Sequence, residues 1–161
     1  MTLPSSNTDI EQTDGISSLL LPLKEKQLLL PNVSVAEIIP FSQLLTTASP
    51  AKWILGQVSW RGLSVPVVCY ELINDKPAPA PNTEARFAIV NGILGHAKLP
   101  YYAILIQGLP KPVRINQEDL QRVEGIENDE YDACAINIEQ TGAAMIPDLD
   151  KLEAALVAIS N

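Results

Sequence analysis

The chain has 161 residues and a formal net charge of −8, with 47% hydrophobic residues. That length suits one domain, or two small subdomains sharing a core. The acidic balance argues against nucleic acid and against anionic lipid, since both attract basic surfaces. Two cysteines far apart in sequence, Cys69 and Cys134, read as reduced thiols acting as small apolar residues.

Met1–Asp14 is polar and without period, and is expected to be a disordered tail. It has no basic and apolar succession of a signal peptide, and no run in the chain reaches membrane-spanning length. A cytoplasmic protein without direct membrane insertion is the expectation. Ile16–Leu23 and Gln27–Pro31 read as a hairpin around the charged turn Lys24-Glu25-Lys26. Asn32–Pro40 fits either a strand or a short helical turn. Phe41–Pro50 reads as a loop.

The stretch from Trp53 to Leu72 organises the rest. It holds both tryptophans, two glycines and one arginine, Arg61, between Trp60 and Gly62. Its pattern predicts two strands with a turn at Arg61-Gly62. Pro66 has no N–H to donate, so its strand should lie at an edge or bulge there. An edge strand beside an exposed arginine and a tryptophan is a candidate docking surface.

Asp75–Glu84, with Pro77, Pro79 and Pro81, reads as a stiff extended linker. Arg86–Asn91 and Tyr101–Gln107 read as a second pair of strands, and Val113 to Ile115 as a short one. Glu118–Glu124 reads as a helical turn. In Ala133–Glu139, Cys134, Ile136 and Ile138 share one strand face, and Thr141-Gly142 turns into Ala143–Ile146. At the end, Leu149, Leu152, Leu156 and Ile159 line one face of a helix that Asp148 or Asp150 can cap. Many short strands with one terminal helix predict a mainly β architecture of barrel type.

Catalytic chemistry finds little support. His96 is the only histidine, and with Cys69 or Cys134 it lacks a third orienting group. No short ligand spacing suggests a metal, and Gly92 and Gly95 have none of the residues of a phosphate cradle. The acidic run Glu127–Asp132 lacks the glycine and spacing of a calcium loop and reads as solvated. Asp148 and Asp150 sit outside any βα alternation, so they do not form a phosphoacceptor site. The chain is read as a binding module without cofactor, metal or catalytic residue.

In order along the chain stand Val35-Ala36-Glu37-Ile38, Gly56, Arg61-Gly62, Val65-Pro66-Val67-Val68, Tyr102–Gly108 and Ile146–Leu152. Together they resemble the CheW-like coupling domain, the adaptor module of bacterial chemosensory arrays, from Ile16 to Leu156. The leucine-rich start, Leu19–Leu23 and Leu28–Val33, resembles most the ChpC branch, linked to type IV pilus systems and twitching motility. The resemblance implies two packed SH3-like five-stranded barrels with a C-terminal helix. We place the first barrel at about 16–74, the linker at 75–84 and the second barrel with its helix at about 85–160. It also implies a non-catalytic adaptor between a methyl-accepting chemoreceptor and a CheA-like histidine kinase; a monomer outside the array is the default expectation. Val35, Glu37, Ile38, Gly56, Arg61 and Gly62 become the candidate receptor and kinase interface. Alternatives are an SH3-like peptide binder outside chemosensing and a small cysteine hydrolase. The chain departs from the family at Cys69, where an acidic residue is frequent. Pro110 and Pro112 should shorten or bulge a strand, and Asn91–Pro100 has the look of an insertion.

Overall fold

The computed structural model describes residues 15–46, 49, 51–116, 118, 120–123, 128–138 and 141–159. The expected tail, Met1–Asp14, lies outside these residues, as do Glu127 of the acidic run and parts of 118–124. Among the described residues the strands are β1 (Ile16–Pro22), β2 (Gln27–Pro31), β3 (Val35–Pro40), β4 (Ile54–Trp60), β5 (Leu63–Val68), β6 (Arg86–Asn91), β7 (Tyr101–Ile106), β8 (Lys111–Ile115), β9 (Leu120–Arg122), β10 (Asp132–Ile138) and β11 (Gly142–Pro147). Two helices join them, a short α1 (Tyr70–Ile73) and the C-terminal α2 (Leu149–Ile159).

The strands form a six-stranded sheet, β8-β1-β2-β11-β10-β9, and a five-stranded sheet, β3-β6-β7-β5-β4. Each curls into a half-barrel. Strand faces sort into three apolar clusters. In β6 and β7, Phe87, Ile89, Ala103 and Leu105 fill the inside of the five-stranded unit. Their alternates Ala88, Val90, Tyr102, Ile104 and Ile106 face a central core. In β1 and β2, Leu20 and Leu29 point inside the six-stranded unit with Ile136 and Ile138. Leu21, Leu28 and Leu30 meet the central core, which Leu152 and Leu156 of α2 complete. Burial on both faces explains why these strands are apolar runs without alternation.

The mainly β class and the terminal helix stand as expected, and three details change. One unit has six strands, because Leu120–Arg122 pairs with β10 instead of turning helically. The units do not follow one another along the chain: β1 and β2 belong with β8–β11, and residues 35–106 build the other sheet. Residues 75–84 therefore connect α1 to β6 within one unit, and do not divide two barrels. Asn32–Pro40 is both things in turn, a 3-10 turn at Asn32–Ser34 running into β3.

Pro112 and Pro66 meet the missing N–H in different ways. Pro112 sits in β8, an edge strand paired with β1 in unbroken register. Pro66 sits in β5, an interior strand, but β7 pairs with β5 only at Val67 and Val68, so at Pro66 β4 is the one neighbour. At the C-terminus Asp148 caps α2, its Oδ1 accepting from Lys151 N at 3.0 Å.

Candidate functional site

The β4–β5 hairpin turns on two residues, Arg61 at φ +48° and Gly62 at φ +76°. Two left-handed residues match the twist of the strands they join. Glycine supplies this conformation without strain, and Arg61 is lifted to the tip, its side chain 69% exposed. Trp60, the last residue of β4, is buried with its ring edge-on to Tyr101 at 4.8 Å. The Arg61 guanidinium lies 4.7 Å from the Trp60 ring centroid, in cation–π range.

Glu37 completes the cluster from β3. A bulge between Val35 and Glu37 shifts the register against β6. Glu37 Oε1 accepts from Trp60 Nε1 at 2.9 Å and from Arg61 Nη2 at 3.2 Å. β3 and β4 are opposite edges of the five-stranded sheet, so these bonds bring its two margins together. A backbone pair between Leu45 and Gln57 closes the margin further along. The rim thus offers one exposed cation, one exposed carboxylate and a braced indole.

The six candidate residues divide. Glu37, Arg61 and Gly62 share the exposed rim. Val35 and Ile38 are half-buried and pack against the central core. Gly56 is buried at a bulge of β4, where an added Cβ would stand 2.6 Å from the Leu45 carbonyl oxygen. Its lack of a side chain lets the 44–45 segment close over the strand, so it shapes the rim from within. The sequence places a tryptophan beside the exposed arginine, but Tyr101 is absent from the expected surface, and that the Trp60 N–H meets Glu37 depends on the curl of the sheet.

A second surface feature lies at the other end of this unit. Phe41, Leu44, Leu55, Ala85 and Leu105 face the Pro79–Pro81 strap across a groove of about 650 Å³. Asn82 pins the strap, its Nδ2 donating to Gln107 O at 2.8 Å. The lining is uncharged.

The Cys69 thiol is not activated. Burial first, and then the neighbouring Glu71 charge, push the Cys69 thiol up to about 11. A nucleophilic cysteine needs the opposite shift. His96 lies in the β6–β7 loop, its Nδ1 accepting from Lys98 N at 3.3 Å. Among the described residues no group of three or more His, Cys, Asp or Glu is placed to hold a metal. No described helix is long and apolar enough to cross a membrane.

Two half-barrels on a common core, with a polar rim where the margins of one sheet meet, define a β scaffold that presents surfaces. The CheW-like domain profile matches residues 17–156, and the chain belongs to that family. A search of curated proteins finds no match. Among solved structures, the scaffolding protein TtCheW from Thermoanaerobacter tengcongensis superposes with a TM-score of 0.70 at 14% identity, over 83% of this chain and 88% of that one. At that identity the likeness is one of fold.

Proposed function

We propose that this chain is a non-catalytic adaptor that couples a methyl-accepting chemoreceptor to a CheA-like histidine kinase in the cytoplasm. The observation that carries the reading is the rim at Glu37, Trp60 and Arg61 on a CheW-like fold. A docking rim needs a rigid anchor with an exposed polar head. Trp60 is fixed by Tyr101 and Glu37, and it holds the Arg61 guanidinium over its own face. Arg61 then has donors left for a partner's carboxylates or carbonyls. Val35 and Ile38 support the rim from the core side, and Gly56 and Gly62 give the backbone its shape. The leucine-rich β1 and β2 support a place in a type IV pilus or twitching-motility pathway.

Single contacts of this size are weak, and an array supplies avidity by repeating them. The test is co-purification of a receptor and kinase from native lysate with wild type and with Arg61→Asp. Aspartate tolerates a left-handed turn position, so the hairpin survives while a second carboxylate meets Glu37. Receptor and kinase should come down with wild type and be lost with the variant. Recovery with both would move the site away from the rim. Recovery with neither would leave the peptide-binding alternative, with the Phe41–Pro81 groove as its place.

A further inference from the structure

Asn91 ends β6, Gly92 opens the loop to β7, and no other asparagine of the chain precedes a glycine. Asparagine before glycine is the pair most prone to lose its side-chain amide. With no Cβ on the glycine, its backbone nitrogen can swing onto the preceding side-chain carbonyl. Gly92 N attacks Asn91 Cγ, and an N–Cγ bond forms. The Nδ2 group leaves as ammonia, taking the Gly92 N–H proton with it, and a cyclic succinimide remains. Water then opens the ring at either carbonyl and leaves aspartate or isoaspartate at position 91.

The fold opposes the first of these steps. The attacking nitrogen is occupied, because Gly92 N donates to Pro100 O at 2.8 Å. The amide under attack is tied as well: Asn91 Nδ2 donates to Val33 O at 2.9 Å, and its backbone pairs with Tyr101 in the β6–β7 ladder. The next peptides are clamped by Glu153, a fully buried residue of α2. Its Oε1 accepts from Ile93 N at 2.7 Å and its Oε2 from Leu94 N at 2.8 Å. Attack requires the Asn91–Gly92 peptide to rotate, and that rotation would drag Ile93 N off the carboxylate. Gly92 itself has no free space: a Cβ there would stand 2.5 Å from Leu99 O, and Leu99 is fixed in the central core.

The clamp is a costly one. The hydroxyl of Tyr102, on β7, is buried without a hydrogen-bond partner. Burial, and next the Glu153 charge, hold that phenol above its ordinary range. An apolar side chain at 153 would fill the core without a buried charge, but it would leave the Ile93 and Leu94 amides unheld. Outside the clamp the loop meets water, with the Ile93 and Leu94 side chains exposed. The water that opens a succinimide is therefore at hand once the clamp lets go.

We propose that Asn91 is a latent deamidation site and that Glu153 guards it: the carboxylate clamps the peptides after Gly92, and release of the clamp starts the reaction. The products do not restore the fold. An aspartate at 91 has no N–H to give Val33 O, and an isoaspartate adds a backbone atom at the end of β6. Either one cuts the tie to the 3-10 turn that leads into β3, the strand that carries Glu37. Deamidation thus turns a reversible opening of the loop into a permanent change.

The experiment incubates the purified chain in mildly alkaline buffer and follows amide loss at Asn91 by peptide mass mapping, with isoaspartate resolved from aspartate. Folded wild type, wild type unfolded in urea and Glu153→Gln are compared, and hydrogen exchange at the Ile93 and Leu94 amides is read in parallel. The unfolded chain should lose the Asn91 amide about tenfold or more faster than the folded one. Glu153→Gln has one acceptor oxygen fewer for the two amides, and should react about fivefold or more faster than folded wild type. Equal rates in the folded and unfolded chains would overturn the protection, and a folded Glu153→Gln that reacts at the wild-type rate would overturn the guard. If Glu153→Gln does not fold, wild type in sub-denaturing urea decides. Amide loss should then rise together with exchange at Ile93 and Leu94, below the unfolding midpoint; loss that begins only with global unfolding would overturn the guard. Asn91→Asp installs one product directly and should speed exchange at the start of β3. Unchanged exchange there would overturn the proposed effect on that strand.

Discussion

Glu37 Oε1 serves two donors whose losses differ. Arg61 is exposed, and its ion pair with Glu37 is worth about 0–1 kcal/mol. Trp60 is buried, and without Glu37 its indole N–H has lost a partner at a cost of about 1–3 kcal/mol. Urea denaturation should therefore show Glu37→Ala clearly destabilised and Arg61→Ala nearly neutral, although both weaken partner docking. A reversed order would mean that Glu37 serves Arg61 rather than the fold. Gly56 gives the sharper effect on stability. Its φ of +144° and the carbonyl 2.6 Å from a Cβ predict that Gly56→Ala costs about 1–3 kcal/mol, read as a lower denaturation midpoint. Gly62, with nothing near its missing side chain, should lose less on the same change. Cys69, with its thiol pushed up to about 11, should resist a thiolate-selective reagent at neutral pH until the protein unfolds. Rapid labelling of the folded chain there would reopen the cysteine hydrolase.

α1 is only one turn long, yet it joins the two units. The Tyr70 hydroxyl lies 2.6 Å from Asp132 Oδ1 and 2.7 Å from Tyr131 O. Asn74 Oδ1 accepts from Tyr131 N, and Glu71 Oε2 accepts from Lys24 N. Lys26 bridges Asp132 at 2.9 Å and Asp129 at 3.1 Å, and Lys76 reaches Asp129 at 3.4 Å. Burial pushes the Asp129 carboxyl up, but the bonds and charges of Lys26 and Lys76 outweigh it and hold the group below its ordinary 3.8. A carboxyl depressed in the folded state contributes stability above its unfolded value. That contribution is lost as pH falls through the folded value. Melting temperature should thus fall as pH drops below about 4, and less steeply in Asp129→Asn. An unchanged slope would assign the acid sensitivity to other groups. None of this joint is legible in the sequence: Tyr70 to Leu72 closes the stretch expected to hold two strands, and Glu127–Asp132 reads as solvated. A single turn of helix and a three-residue strand such as β9 are too short for a period to show. Long apolar runs with turn residues between them did show, so the hairpin of β1 and β2, the pair β6 and β7, and α2 stand where the pattern put them. At the rim, resemblance found Glu37 and Arg61, but the bond from Trp60 joins residues 23 apart and depends on sheet curl. Gly56 stands in the sequence only as a motif position, and its burial at a bulge of β4 shows in the fold alone.

The whole molecule departs most from the order of its sequence. The two barrels that the resemblance implies, laid along the chain, give a barrel, a proline-rich connection and a second barrel. The pairing instead interleaves them, because β1 and β2 lie between β8 and β11, and β6 and β7 lie between β3 and β5. Local patterns cannot reveal this, since each strand is the same apolar run whichever partner it takes. The consequence can be measured by dividing the chain within the Pro77–Pro81 strap, which belongs to no strand. The fragment ending at 78 holds β3, β4 and β5 without the two strands that separate β3 from β5. The fragment from 79 holds β8 and β11 without the hairpin that joins them. Neither can close a sheet, and both lack half of the central core, so each alone should give no native circular dichroism. Mixed, they should reassemble, because the strap is not needed for any strand pair. Trp60 reports the event. Its cluster draws Phe87, Ile89, Ala103 and Leu105 from the second fragment, so its emission should shift to the blue only on mixing. A first fragment that folds and buries Trp60 alone would restore the sequential two-barrel division and overturn the interleaved one.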